Sequence, residues 1–370
     1  MKRRLFALLL LFPFLVSCIQ DEPLSPYADI ETFSLPNDVT LSDATFNQTN
    51  ISIHVKKSAN LTALIPTVTI SEGATITPDP SIAQDFNKEV KYVVTAADGK
   101  HQREYTIQTI TTSAYSYSFE NWEKLDPNAI YETPVEYDSE GKRTTLWDSS
   151  NKGINIYKQN EYKRPEEFPI HKTSNMVTHG KYSAEMLTMV GPGDILGMIN
   201  IPIVAGSLFM GVMDPLYALK DPLLSTRFGL PFYDKPLRMT GKYMYRAGTE
   251  NYIDPNGKVL PNVKDSCAIY GVFFRVDNAS MMLDGTNIRI HPNIVAMGMM
   301  SPEERAGSKG EGMVPFDITF EYKKDHIVDF ERYQYKLALI FSSSFYGDRY
   351  EGTPGSHLII DEVAVIIDEE

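Results

Sequence analysis

The chain has 370 residues, 42% of them apolar, and a formal net charge of −13. Its length suggests about two domains. An acidic chain with no basic cluster is repelled by a phosphate backbone, so nucleic acid is not expected as a partner.

At the start, Lys2, Arg3 and Arg4 precede an apolar run from Leu5 to Val16, which ends at Ser17 and Cys18. This is the build of a signal peptide over residues 1–17, too short to span a bilayer comfortably. Leu15-Val16-Ser17-Cys18 resembles the lipobox of bacterial lipoproteins. The resemblance implies that Cys18 is acylated and becomes the mature N-terminus, held to the membrane by about 0.8 kcal/mol per buried methylene. Asp21 and Glu22 are similar to the acidic export signal of Bacteroidetes lipoproteins, which implies display on the outer face of the outer membrane. The lipid is the only membrane contact expected. Cleavage removes three cations and takes the formal net charge from −13 to −16. Cys267 is then left without a partner, and its apolar surroundings read as a buried strand rather than a reactive thiol. Residues 18–28, with Pro23 and Pro26, read as a tether.

From residue 29 to 112 the pattern has period two. Ile51, Ile53 and Val55 alternate with polar neighbours, as do Tyr105 and Ile107. Asp98-Gly99 between two such runs is a hairpin signal that needs positive φ at the turn. Short strands without a helical period predict a small immunoglobulin-like sandwich. The order Thr67–Ile70, Gly73–Pro78, Asp85-Phe86, Val90–Gly99 resembles the N-terminal Ig-like modules of Bacteroidetes surface lipoproteins, which implies a spacer or docking role.

Residues 113–370 are again strand-like after a break at 111–114. Ile318, Phe320 and Tyr322 share one face, as do Tyr335, Leu337, Leu339 and Phe341; Leu358 and Ile360 follow, and Val363, Val365 and Ile367 form a last strand. Segments 126–143, 191–202 and 248–265, rich in Pro, Gly and Asp, read as loops. Only Ser301-Pro302-Glu303-Glu304-Arg305 has a helix start, with Pro in the first turn. The expected fold is all-β: the small Ig-like sandwich followed by a larger jelly-roll sandwich.

Several blocks in this larger segment resemble, in order, the family known as the putative carbohydrate metabolism domain. They include Phe119–Trp122, Trp147–Asn151, Ala205–Phe209, Gly229–Phe232, Gly241–Tyr245 and Asp265–Tyr270. The tail is the sharpest: Ser342–Ser344, Tyr346-Gly347-Asp348, Gly352, Gly355-Ser356 and Asp361–Val363. The family implies a link to glycans and no specified activity. The segment is also similar to jelly-roll carbohydrate-binding modules, which open on Phe-Glu and close on Asp-Asp/Glu-Val with the two carboxylates meeting at one edge. That likeness implies Glu120 and Asp361 as ligands of a structural Ca²⁺, an ion that wants six to eight oxygens. The bland alternative is that both carboxylates bond nearby amides.

No motif demands catalysis: the seven histidines are scattered, and no phosphate loop, nucleophile elbow or cysteine pair is present. Asp317, Thr319 and Glu321 alternate as a hydrolytic carboxylate pair on one strand would, but any half-buried strand alternates in this way. Sugar recognition needs flat rings and polar tips. Trp147 beside Asp148 to Asn151, Tyr243 and Tyr245 with Arg246, and Tyr346 in a Gly-rich loop supply these types. The candidate ligand-binding set is therefore Trp147, Asn151, Tyr243, Tyr245, Arg246 and Tyr346, although Trp and Tyr fill sandwich cores as readily. The leading expectation is a non-catalytic surface lipoprotein that binds or helps handle glycans. The alternatives are a glycoside hydrolase using a carboxylate pair, and a structural or adhesive surface protein with protein partners.

Overall fold

The computed structural model describes residues 24–368 other than 41–42, 57–58, 113, 138–142, 159, 196, 216 and 218–219. The signal segment and Cys18 lie outside the described residues. The chain is all-β, a small strand unit followed by a larger sandwich.

In the small unit, strands Ile30–Ser34 and Thr67–Ile70 form one antiparallel pair. A five-stranded sheet packs against it, in which Asn50–Lys56 runs parallel to Gln102–Thr112. Alternation decides which side is dry: Ile51, Ile53, Val55, Tyr105 and Ile107 are buried in one core with Phe33, Phe86 and Tyr92. At the tip of the hairpin, Asp98 Oδ1 accepts the N–H groups of Lys100 (2.8 Å) and His101 (3.1 Å), and Gly99 supplies φ +68°.

The larger unit is a jelly roll of two antiparallel sheets. Its nine-stranded sheet centres on Ser207–Met213, Gln334–Ser342 and Ala268–Val276, and its six-stranded sheet on Ser183–Leu187, His357–Ile367 and Pro236–Arg246. Ala114–Tyr117 joins the smaller sheet against the last strand, so the first and last strands of the unit are neighbours. Tyr335, Leu337, Leu339 and Phe341 face the space between the sheets, where they meet Leu358, Ile360, Val363, Val365 and Ile367. Ala338 and Ile340 are buried on the opposite face, which is why Gln334–Ser342 reads as almost wholly apolar.

The last two predicted strands are one strand, His357–Ile367. Its inward positions switch from even to odd numbers at a bulge, where Glu362 takes φ +50° and the pairing with Pro236–Arg246 skips between Thr240 and Lys242. Ile318 and Phe320 are buried in the same core and Tyr322 packs against it, yet the chain changes sheets between them: Val314–Thr319 pairs in the smaller sheet and Glu321–Tyr322 in the larger.

Three helices interrupt the described strands: α1 (Asn151–Lys158), α2 (Pro222–Ser225) and α3 (Pro302–Arg305). The turn α3 lies where its helix start was expected, and Ser301 and Glu304 close a capping box there. Helix α1 was not expected, because Gly153 weakens it and Ile154 is its one core side chain among those described. The segment expected as a loop at 191–202 lies instead in a hairpin of Met189–Ile195 with Ile199–Val204. Gly191 permits this, since a Cβ there would sit 2.0 Å from the Ile201 carbonyl oxygen, and Gly193 at φ +76° takes up the bulge. Segment 248–265 likewise holds the pair Tyr252–Ile253 and Val259–Leu260.

Glu120 and Asp361 are brought to the same loop, residues 178–182. Asp361 Oδ2 accepts the N–H and hydroxyl of Thr178, both at 2.8 Å, and Oδ1 accepts the N–H of Glu362 at 2.8 Å. The Glu120 carboxylate accepts the N–H of Lys181 at 2.9 Å and that of Tyr182 at 3.1 Å. Gly180, at φ +77°, passes so close that a Cβ would fall 2.3 Å from Glu120 Oε1. These oxygens face backbone N–H groups, and no cluster of three or more His, Cys, Asp or Glu suited to a metal occurs among the described residues. The geometry shows a carboxylate clamp on the loop. Glu120→Ala strands two backbone donors and is expected to cost about 1–2 kcal/mol, roughly 2–8 °C in melting temperature. EDTA is expected to leave the wild-type melting curve in place. A chelator-induced drop that calcium reverses, and that Glu120→Ala abolishes, would restore the ion.

Candidate functional site

The outer face of the larger sheet is apolar, carrying Phe209, Phe228, Tyr270, Phe274, Ala338 and Ile340. Met281, Leu283 and Ile288 roof one end, and Phe345 packs at the other. Between this cover, α1 and the hairpin at 189–204 a cavity of about 220 Å³ remains. Its wall is formed by Ile154, Ile201, Val204, Phe209, Phe228 and Ile340, and its polar members include Tyr270, Asp348, Tyr350 and several serines.

Asp348 sits on the short turn Gly347–Arg349. Its Oδ2 lies 3.4 Å from Arg289 Nη2, and its Oδ1 is buried without a hydrogen-bond partner. Burial pushes its carboxyl above the ordinary range, against the pull of Arg289 and Arg349. Arg289 is itself placed over the Phe345 ring, 5.3 Å from its centre. Tyr270 is 5% exposed and its hydroxyl makes no hydrogen bond with any described residue. Burial raises the phenol well above its usual value, so it is a donor at neutral pH and a poor base.

The loop that carries Asp348 is fixed from beneath by Asp265. Asp265 Oδ2 accepts from Ser344 Oγ (2.5 Å), Thr353 N (2.8 Å) and Ser356 Oγ (2.8 Å). Thr188 bonds the hydroxyls of Ser343 (2.8 Å) and Ser344 (2.6 Å) in the same layer. The Ser-rich tail and Asp265, read in the sequence only as a family pattern, are the internal ties of this loop.

Of the six ligand-binding candidates, four are structural. Trp147 is buried between Tyr117 (5.3 Å) and Phe119 (5.5 Å), not offered to a sugar. Asn151 is fully buried and locks onto Ile170, its Nδ2 donating to the carbonyl (2.7 Å) and its Oδ1 accepting the N–H (3.0 Å). Tyr243 and Tyr245 point into the core, and the Tyr243 hydroxyl donates to the Glu304 carbonyl at 2.9 Å. Their alternation came from facing the core, the reading that competes with any aromatic platform. Arg246 is exposed but sits on the other sheet, opposite His357. Tyr346, 39% exposed, is the one candidate beside the cavity loop, next to Phe345 at 4.9 Å between ring centres. Asp317 pairs with Arg238 at 2.7 Å, and Glu321 belongs to the opposite sheet, so no carboxylate pair forms there. Cys267 is buried as expected. Tyr270 and Arg289 were missed: the first reads as an ordinary strand aromatic, and the second has no pattern around it.

Two further features carry charge. A polar cleft of about 560 Å³ separates the two units and is bridged by Lys242 and Asp43 at 2.7 Å. On the outer face of the smaller sheet, Glu185 lies between two imidazoles. His171 Nε2 is 3.5 Å from its Oε2, and His357 Nε2 is 2.8 Å from its Oε1 at an angle too poor for a full hydrogen bond.

Residues 118–366 match the family model described as putative carbohydrate metabolism domain, and residues 30–109 the model described as SGBP, N-terminal. A crystal structure described as a putative glycoside hydrolase from Bacteroides thetaiotaomicron is 31% identical, over 95% of this chain and 100% of that one, with a TM-score of 0.61. Another with that description, from Bacteroides vulgatus, is 28% identical over 68% of this chain and 98% of its own, with a TM-score of 0.59. No curated protein matches.

The histidine–glutamate cluster predicts a pH window. Burial opposes the Glu185 charge, but the interactions with His171, His357 and Thr173 outweigh it and hold the carboxyl below its ordinary 4.5. For His171 burial also opposes the charge, and Glu185 with the Phe168 carbonyl outweighs it, raising the imidazole above 6.5. The Glu185 contribution is present above 4.5 and is lost as pH falls through the lowered folded value. The His171 contribution is present below 6.5 and is lost as pH rises through the raised folded value. The stability advantage of wild type over Glu185→Gln, measured by urea denaturation, is therefore expected to peak between pH 4.5 and 6.5 and to shrink by pH 9. A pH-independent difference would show that the imidazole stays neutral.

Proposed function

The chain belongs to the family described as putative carbohydrate metabolism domain, and on that premise we propose that it is a surface-displayed lipoprotein that binds glycan at the cavity on the outer face of the larger sheet. The observation that carries this reading is the make-up of the cavity. It is concave and mostly apolar, with a few polar groups held on rigid strands and a tied loop, the usual form of a small-ligand site. The small unit, matched by the SGBP N-terminal model, supports display at the surface, with the anchor at Cys18.

Hydrolysis is the second reading, favoured by the descriptions of the two Bacteroides structures. It needs two carboxylates facing across the sugar, about 5–5.5 Å apart for retention or 6.5–9.5 Å for inversion. Among the described residues lining the cavity Asp348 is the only carboxylate, and that supports binding.

A glycan array probed with the soluble chain from residue 19, followed by a reducing-sugar assay on every hit, separates the readings. Binding without release of reducing ends is expected. Release would establish the hydrolase, and an array without hits would remove the glycan reading. The anchor has its own test: Cys18→Ala is expected to move the protein from the membrane fraction to the soluble one in a host that processes lipoproteins. An alanine variant that stays with the membrane would overturn it.

A further inference from the structure

Most polar groups around the cavity are already committed to one another. Ser207 and Ser342 share a hydroxyl bond of 2.7 Å, Ser342 also meets the Ser344 carbonyl at 2.9 Å, and the Ser344 hydroxyl donates to Asp265. Ser225 donates to the Pro222 carbonyl at 2.6 Å. Two buried groups stand out as uncommitted: the Tyr270 hydroxyl, which bonds to no described residue on a ring that is 5% exposed, and Asp348, whose Oδ1 is unpartnered among the described residues and whose Oδ2 has the long 3.4 Å contact to Arg289. Polar groups left unmade in an apolar surround are costly and are rarely retained without a use. One is a donor and the other an acceptor, and both adjoin a wall of Ile, Val and Phe side chains.

An unsubstituted hexose matches this environment badly, because its ring of hydroxyls would lose water against apolar side chains and find only two partners. An acetamido substituent matches it group for group. Its methyl suits the apolar wall, its carbonyl accepts one hydrogen bond and its N–H donates another. We propose that the cavity recognises the acetamido arm of an N-acetylated sugar, with the Tyr270 hydroxyl donating to the amide carbonyl and the amide N–H donating to Asp348. Arg289 is a positioning residue, which holds the Asp348 carboxylate from its place over Phe345. The inference rests on the glycan-binding reading and narrows it to a substrate class.

The test uses the mature full chain in detergent and sugars that differ only in the substituent: the methyl glycosides of N-acetylglucosamine and N-acetylgalactosamine against those of glucose and galactose. At least one N-acetylated sugar is expected to bind about tenfold or more tightly than its parent hexose. In saturation-transfer NMR its acetyl methyl is expected to be the most strongly saturated group. Tyr270→Phe removes a hydroxyl that bonds to no described residue, so the fold is expected to be kept, and affinity for the N-acetylated sugar is expected to fall about five- to twentyfold. Asp348→Ala is expected to lower it comparably. Equal binding of sugar and parent, or binding indifferent to Tyr270→Phe, as a ligand in the cleft between the units would show, overturns the inference and leaves glycan binding standing. Failure to bind these sugars or any glycan on the array overturns both.

Discussion

The buried carboxylate of Asp265 is the constraint on which the candidate site depends. A charge taken out of water is tolerable only when its lone pairs are filled. Four donors fill them here: the hydroxyls of Ser344 and Ser356 and the N–H groups of Thr353 and Ser266. Burial still pushes the Asp265 carboxyl upward, its largest influence, and those hydrogen bonds oppose it. The strand end at Ser344 and the return at Thr353 to Ser356 are thereby drawn to one point. The residues between them, with Tyr346, Asp348 and Tyr350, are held as a closed loop at the edge of the cavity. Gly352 belongs to the same tie, because a Cβ there would fall 2.4 Å from Ser344 Oγ.

Three other carboxylates in the large unit work in this way. Asp361 and Glu120 each gather backbone N–H groups of the loop at 178–182, from the last strand and from just beyond the first. Asp148 does the same for the N–H groups of Met213 and Ser149, with Lys152 beside it. The described chain has no disulfide, and anionic side chains turned inward onto backbone donors tie its long connections. Such ties are directional, and so they fix the loops in place and not only against the core.

This explains which parts of the protein were legible in its sequence. The sandwich was legible because burial imposes period two, and even the change of phase between Ile360 and Val363 was visible as a parity switch, although it reads as two strands until the bulge is seen. Helix α1 and the hairpin at 189–204 were not, because one core contact and permissive glycines leave little periodic trace. In the site the same pattern had two meanings. Tyr243-Met244-Tyr245 alternates whether its aromatic face meets a sugar or a core, and Trp147 among polar neighbours sits at the end of a buried strand. Glu120 and Asp361 were brought to one loop as expected, although Glu120 lies just beyond the first strand and not on it. Sequence could not say whether N–H or C=O groups would meet them there, since the two differ only in how a loop turns, and Gly180 turns the N–H groups inward.

The cavity shows why its polar members escaped notice. Tyr270 lies on a strand buried on both faces, and in sequence it is one more aromatic among Ile269, Val272, Phe273 and Phe274. What sets it apart is the lack of a partner, and that property exists only once every neighbour is placed. Phe209, Phe228 and Ile340 each look like core filler, and each would be so if the cover over the larger sheet were complete. The cover stops short, and the same residues become the wall of a cavity. The chemistry of that site is set by what the surrounding hydrogen bonds leave unspent. With the serines occupied, the Tyr270 hydroxyl and the Asp348 carboxylate stand against an apolar surface, and a ligand there would have to bring an acceptor, a donor and an apolar group together to replace the water it displaces.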